Sequence, residues 1–212
     1  MRNIRHKLEL HGDITRHNIR NPIKMIMGNV ELGMLPTSDA NGRFDRIERA
    51  AQIISSHIQF AKDYQEVGTT EPRWQSLAGM IGGLDVIKGI DGLEISDKAG
   101  GLEVHADPML EMVFHNLIEN SAKYAGAPTL IRIDCEQADG GLMIAFEDNG
   151  RGVPDGEKER IFQKGYGKGT GLGLFLSREV LAMTGITVRE NGVPGNGVRF
   201  EMLIPTGKFR FS

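Results

Sequence analysis

Three groups of residues in this sequence have the types and the spacing to handle a phosphorylated ligand. Asn116, Asn120 and Lys123 stand four and three residues apart, which on a helix gathers two amides and a cation on one polar stripe. That stripe is separate from the apolar face of Leu110, Val113, Phe114, Leu117 and Ser121. An Asn carbonyl oxygen suits the oxygen shell of Mg²⁺, with nucleotide phosphates and water completing it, while Lys123 would neutralise phosphate charge. In the second group, Asp148-Asn149-Gly150-Arg151-Gly152 follows an alternating apolar run. A carboxylate there can accept an adenine amino proton, and Gly150 and Gly152 let the backbone approach a flat ring. The third is Gly169-Thr170-Gly171-Leu172-Gly173-Leu174, placed just before a helical segment, where the first backbone N–H groups form a ready anion site. Taken singly, each has a plainer reading as a solvated helix face, an ordinary turn or a flexible glycine loop. Their order along the chain makes them a set.

That set resembles the ATP-binding domain shared by histidine kinases, type II topoisomerases, Hsp90 chaperones and mismatch-repair ATPases, over roughly Trp74 to Pro205. Asn116-Leu117-x-x-Asn120-Ser121-x-Lys123-Tyr124 is similar to the N box of the histidine kinase branch, and Asp148-x-Gly150-x-Gly152 to its first glycine box. Ile161-Phe162 looks like its F box, and the run Gly169, Thr170, Gly171, Leu172, Gly173, Leu174 like its second glycine box. Gly195-Asn196-Gly197 corresponds to a further glycine element. The resemblance implies a GHKL-type α/β sandwich that holds ATP among these boxes, with Asn120 on the metal. It also implies a mobile lid between Val153 and Lys168, in which Lys164, Tyr166 and Lys168 would meet phosphate or ribose.

Upstream, Asp13-Ile14-Thr15-Arg16-His17-Asn18-Ile19-Arg20-Asn21-Pro22-Ile23 resembles the H box, which carries a phosphoacceptor histidine followed after four residues by proline. At about 100° per residue, His17 falls opposite Ile19, Ile23, Ile26 and Val30 and so faces solvent. An exposed imidazole is mostly neutral at pH 7 and has a nitrogen lone pair to attack phosphorus. Pro22 has no N–H for the Asn18 carbonyl, which loosens the helix beside the nucleophile. The family has Glu or Asp where this sequence has Asn18, and an amide cannot act as a base. Asn21 matches a position that in the family helps orient a water for dephosphorylating the partner regulator. The resemblance therefore implies autophosphorylation of His17 and transfer to a response-regulator aspartate. Its rival is a nucleotide-binding docking or phosphatase module, favoured by Asn18. A chaperone or topoisomerase subunit would have no use for the H box. His6, His11, His57 and His105 lack such a context and read as surface residues.

The elements that must position these groups fall into two regions. Glycine is sparse before Val67 and dense after Gly79, and Gly68-Thr69-Thr70-Glu71-Pro72 reads as a linker between a first domain over 1–67 and a second over 73–212. In the first, Ile19, Ile23, Ile26 and Val30 form one helical seam, and Phe44, Ile47, Ala51, Ile54, Ile58 and Ala61 a longer one. Turn residues over 35–42 join them as an antiparallel hairpin, whose stripe would be buried by a second copy in a four-helix bundle. In the second domain, 130–135 and 142–146 alternate as strands joined through Asp139-Gly140-Gly141. Asp107-Pro108 offers an N-cap and a first helical residue. A later helix is expected over 171–184, and 197–204 reads as the last strand. The fold class is α+β, with helices on one sheet face.

Composition agrees with a globular protein of this kind. The 212 residues carry a net charge of −3 with no basic patch, which argues against nucleic acid. The one cysteine, Cys135, reads as a buried strand thiol in a reducing cytoplasm. No apolar run approaches the roughly 20 residues that span a bilayer.

Overall fold

The computed structural model describes residues 19–30, 40–82, 90, 92–126, 130–167 and 169–211. It divides into two compact units between Glu66 and Val67. In the first unit, helix α1 covers residues 19–30 and α2 runs over Ala40–Glu66. Pro22 and Asn29 are buried on α1, and Ala50, His57, Phe60 and Tyr64 on α2. The α2 set is spaced seven, three and four residues apart, the repeat of a helix-packing seam, and the Phe60 and Tyr64 rings stack at 5.7 Å. The seam read from sequence lies on a neighbouring face of α2. Phe44 is 69 % and Ile58 58 % exposed, so α2 is apolar on two faces and only one of them is covered. His57 is not a surface residue: it is buried, and its Nδ1 donates to the Ile53 carbonyl at 2.8 Å. A ring that satisfies its own helix's carbonyl can sit on a packed face, which periodicity alone does not reveal.

In the second unit, strands β2 (Gly92–Ile95), β4 (Leu130–Ala138), β5 (Gly141–Asp148), β6 (Thr187–Glu190) and β7 (Arg199–Pro205) form a sheet in the order β2-β4-β5-β7-β6. Only the β2–β4 pair is parallel. Strands β1 (Arg73–Ser76), β3 (Leu102–Ala106) and β8 (Phe209–Phe211) form a second, antiparallel sheet. The helices are α3 (Leu77–Ile81), α4 (Asp97–Gly100), α5 (Leu110–Tyr124) and α6 (Gly173–Ala182), with short 3₁₀ turns at Asp155–Glu157 and Arg160–Phe162. Register makes one face of the large sheet apolar. Ile133 pairs with Phe146 and Phe146 with Phe200, while Cys135 pairs with Ile144 and Ile144 with Met202; all six are buried. Leu110, Val113, Phe114 and Leu117 of α5 and Leu176, Val180 and Leu181 of α6 are buried with them. Asp148 projects from this same face as the partner of Ile131, and it meets Ser121 of α5.

The hairpin of β4 and β5 and the buried face of α5 follow the sequence expectation, as does buried Cys135, whose thiol burial pushes above its ordinary pKa. Other boundaries differ. Helix α6 is shorter than 171–184 because Gly171 has φ +64°, outside helical geometry. Gly141 belongs to β5 rather than the turn. A Cβ there would lie 1.8 Å from the Ile204 carbonyl oxygen, so close strand approach requires the glycine. Helix α5 starts at Leu110, three residues after Asp107. Asp107 caps the entry turn, accepting the Met109 N–H at 2.9 Å, and also holds the Gly68 N–H at 2.9 Å. The chain does not end its sheets with 197–204, since β8 follows and pairs with β3.

Candidate functional site

Asp148 sits at the end of β5, 7 % exposed, and three donors hold its carboxylate. Ser121 Oγ donates to Oδ2 at 2.6 Å, and the backbone N–H groups of Gly150 and Val198 donate to Oδ1 at 2.9 and 3.1 Å. A carboxylate offers about four acceptor directions, so one remains for an amino group. The turn that follows is built for close approach. A Cβ at Gly150 would stand 2.4 Å from Ala125 at the end of α5, and Gly152 has φ +69°. Gly197 presses on Asp148 from the other side, a Cβ there falling 1.7 Å from the Asp148 carbonyl oxygen.

On α5, Asn116 donates through Nδ2 to the Gly173 carbonyl at 3.4 Å and to Ser177 Oγ at 3.3 Å. These are long bonds that tie the amide stripe to the start of α6. Asn120, one turn further on, is half-buried, and its side chain makes no hydrogen bond among the described residues. Lys123 forms an exposed ion pair with Glu119 at 2.7 Å. Tyr124 is 37 % exposed, its carbonyl accepts from Arg151 Nε at 2.8 Å, and its hydroxyl lies 3.0 Å from where a Gly169 Cβ would be. The structure thus brings the end of α5 against both glycine segments.

The loop before α6 is seated by its glycines. The Gly165 N–H donates to the Gly171 carbonyl at 2.9 Å, and a Cβ at Gly171 would stand 2.4 Å from the Tyr166 nitrogen. Leu172 is buried and serves packing, whereas Thr170, Gly173 and Leu174 are half-buried at the mouth of the loop. In the segment between the glycine boxes, Lys164 and Tyr166 are half-buried. Arg160 lies over the Tyr166 ring at 4.7 Å, and desolvation together with a hydrogen bond to Glu157 pushes the Tyr166 pKa up. Phe162 is buried beneath Arg178 and against Phe200. His17, Asn18 and Lys168 lie outside the described residues; Asn21 is exposed on α1. Sequence reading did not assign Ser121, Val198 or Ser177 to the site. Ser121 could have been found, as a hydroxyl on an otherwise apolar helix face; Val198 acts through its backbone and leaves no such mark.

Residues 106–208, which hold α5, both glycine segments and the loop between them, match the model of the histidine kinase-, DNA gyrase B- and HSP90-like ATPase family. Over those residues the chain is an ATPase domain of that family, of the kind found in sensor histidine kinases. This kinase-type chain is 26 % identical over 208 residues to the sensor protein KdpD of Escherichia coli K12, covering 89 % of the chain and 23 % of KdpD. The catalytic domain of histidine kinase ThkA superposes with a TM-score of 0.55 at 26 % identity, covering 64 % of this chain and 96 % of that one. ThkA in complex with the response regulator TrrA has the same fold over 98 % of this chain and 65 % of that one, with a TM-score of 0.72 at 24 % identity. The chain spans about a quarter of KdpD's length. Among the described residues, no helix is long and apolar enough to cross a membrane.

Proposed function

We propose that this chain phosphorylates its own His17 from ATP and passes the phosphoryl group to a response-regulator aspartate. The observation that carries the reading is the convergence on one place of a buried, triply held Asp148, the amide stripe of α5 and the glycine loop of α6. Asp148 would take the adenine amino proton, and the loop N–H groups with Thr170 would take the phosphates, joined by Lys164, Tyr166 and Lys168 from the lid. Asn120 fits Mg²⁺: it presents an amide oxygen, its side chain is bonded to no described residue, and Mg²⁺ is commonly held by one or two protein oxygens plus phosphates. Among the described residues no three His, Cys, Asp or Glu side chains gather as a metal cage. The ion would supply charge neutralisation at the β and γ oxygens. An unprotonated imidazole nitrogen of His17 forms the N–P bond as the β–γ bridging P–O bond breaks and ADP leaves, and the proton on the other nitrogen passes to solvent. Asn18 takes no part in that proton transfer.

Incubation of the full chain with γ-labelled ATP and Mg²⁺ tests this. Acid-labile label is expected, lost in both His17→Ala and Asn120→Ala. Asn18→Asp should label about 10²-fold faster, the low end of what a positioned base contributes. A second reading, a docking or phosphatase module using Asn21, is favoured by Asn18 itself. Nucleotide binding without label on the parent chain would select it.

A further inference from the structure

Lys158 and Glu190 lie outside every motif above, yet they form a buried charged pair beside the base end of the site. The Glu190 side chain is 0 % exposed and that of Lys158 21 %. Glu190 Oε1 accepts the backbone N–H groups of Gly192 and Arg199 at 2.9 and 3.2 Å, pinning both ends of the loop 191–198. Oε2 is buried and has no hydrogen bond. It faces Lys158 Nζ at 3.5 Å, so the charge of that one lysine compensates a buried carboxylate. Lys158 also donates to the Gly192 carbonyl at 2.5 Å and pairs with Asp155 at 3.1 Å. Burial would lower the lysine's pKa, but Asp155 and Glu190 outweigh it and hold the group above its usual range.

The loop so pinned leads directly to Asp148. Gly192 packs on the Gly197 carbonyl, where a Cβ would come within 2.7 Å. Gly197 packs on the Asp148 backbone, and Val198 both donates to Asp148 Oδ1 at 3.1 Å and accepts the Asp148 N–H at 3.1 Å. The Gly195 N–H donates to the Arg151 carbonyl at 2.8 Å. One of the three donors on the Asp148 carboxylate is therefore set by a loop whose anchor is the Lys158–Glu190 pair. We infer that Lys158 and Glu190 are positioning residues for base recognition, fixing the Asp148 carboxylate through the loop 191–198 and linking it to the first turn of the lid. The inference rests on Asp148 reading the base.

Calorimetric titration of the full chain with ADP and with inosine diphosphate, each with Mg²⁺, separates the two. Inosine carries a carbonyl where adenine has its amino group and cannot donate to Asp148 from that position. The parent should prefer ADP. Lys158→Met and Glu190→Gln should reduce that preference at least fivefold, and Lys158→Arg should retain it, because the loop needs the cation and its hydrogen bond. A merely structural role would weaken both nucleotides alike or lower the melting temperature without changing their ratio, and that result overturns the inference. A parent preference left intact in both variants overturns it too, while the reading of Asp148 stands. A parent with no preference for ADP removes both.

Discussion

In the proposed reading the site depends on Asp148, because a buried carboxylate is useful only while its remaining acceptor direction is fixed by the groups that fill the others. Ser121 supplies the shortest of those bonds, at 2.6 Å. A hydrogen bond to a charged group contributes about 1.5–3 kcal/mol and a neutral pair nearer 1. Asp148→Asn should therefore raise the dissociation constant for ADP about 10- to 100-fold, since the amide replaces one acceptor oxygen with a donor and opposes the incoming amino group. Ser121→Ala should cost about tenfold at most, and both effects can be measured by equilibrium titration. At this scale the sequence marks side chains whose type and spacing single them out. Asn116, Asn120 and Asp148 stood out that way. Lys158 and Glu190 did not: they are 32 residues apart in the chain, and what joins them is a loop conformation set by backbone bonds.

Elements built on strong local periodicity were legible, and elements defined by distant partners were not. Helix α5 and the β4–β5 hairpin carry their pattern within a few residues. Strand β8 is three residues long, and its partner β3 lies about a hundred positions earlier; no local pattern announces such a pairing. Helix α2 shows a third case. Its apolar residues occupy two faces: the stripe read from the sequence, which a lone hairpin cannot bury, is left open with Phe44 and Ile58 exposed, while the packed face of Ala50, His57, Phe60 and Tyr64 was not read. An open stripe of this length suits a second copy packed as a four-helix bundle. Burying an isoleucine stabilises by about 1.5–3 kcal/mol, and each counts twice in a symmetric dimer. Ile58→Lys should thus weaken dimerisation by at least about 10²-fold in sedimentation equilibrium, leaving the melting of the catalytic unit unchanged. A parent chain that sediments as a monomer at micromolar concentration would assign the stripe no such role.

For the molecule as a whole, the face of the large sheet turned away from the helices determines how the catalytic unit responds to acid. Glu201 on β7 is 6 % exposed. Burial alone would raise its pKa, yet Arg199 at 2.8 Å, Arg189 at 2.6 Å and Asn191 at 3.3 Å together hold it below the ordinary glutamate value. Asp134 on β4 is held low in the same sense, chiefly by the Ser96 hydroxyl and then by the Cys135 N–H. A group whose folded pKa lies below its unfolded one contributes stability that is present above the unfolded value and is lost as pH falls through the folded value. The window here opens near pH 4, where free Glu and Asp titrate, and extends downward. Melting temperature should therefore be nearly flat from pH 7 to 5 and fall steeply below 4. Glu201→Gln should make that fall shallower while lowering the plateau at pH 7, because Arg199 and Arg189 then lose their shared anion and the amide in its place takes up no proton. An unchanged acid slope in Glu201→Gln would assign the loss of stability to other carboxylates. The proposed nucleotide site lies on the opposite face of the same sheet, at the end of β5 where Glu147 pairs with Arg199. Acid should accordingly weaken ADP binding in step with the melting temperature rather than ahead of it, and a binding loss that precedes unfolding would separate the site's acid response from that of the fold.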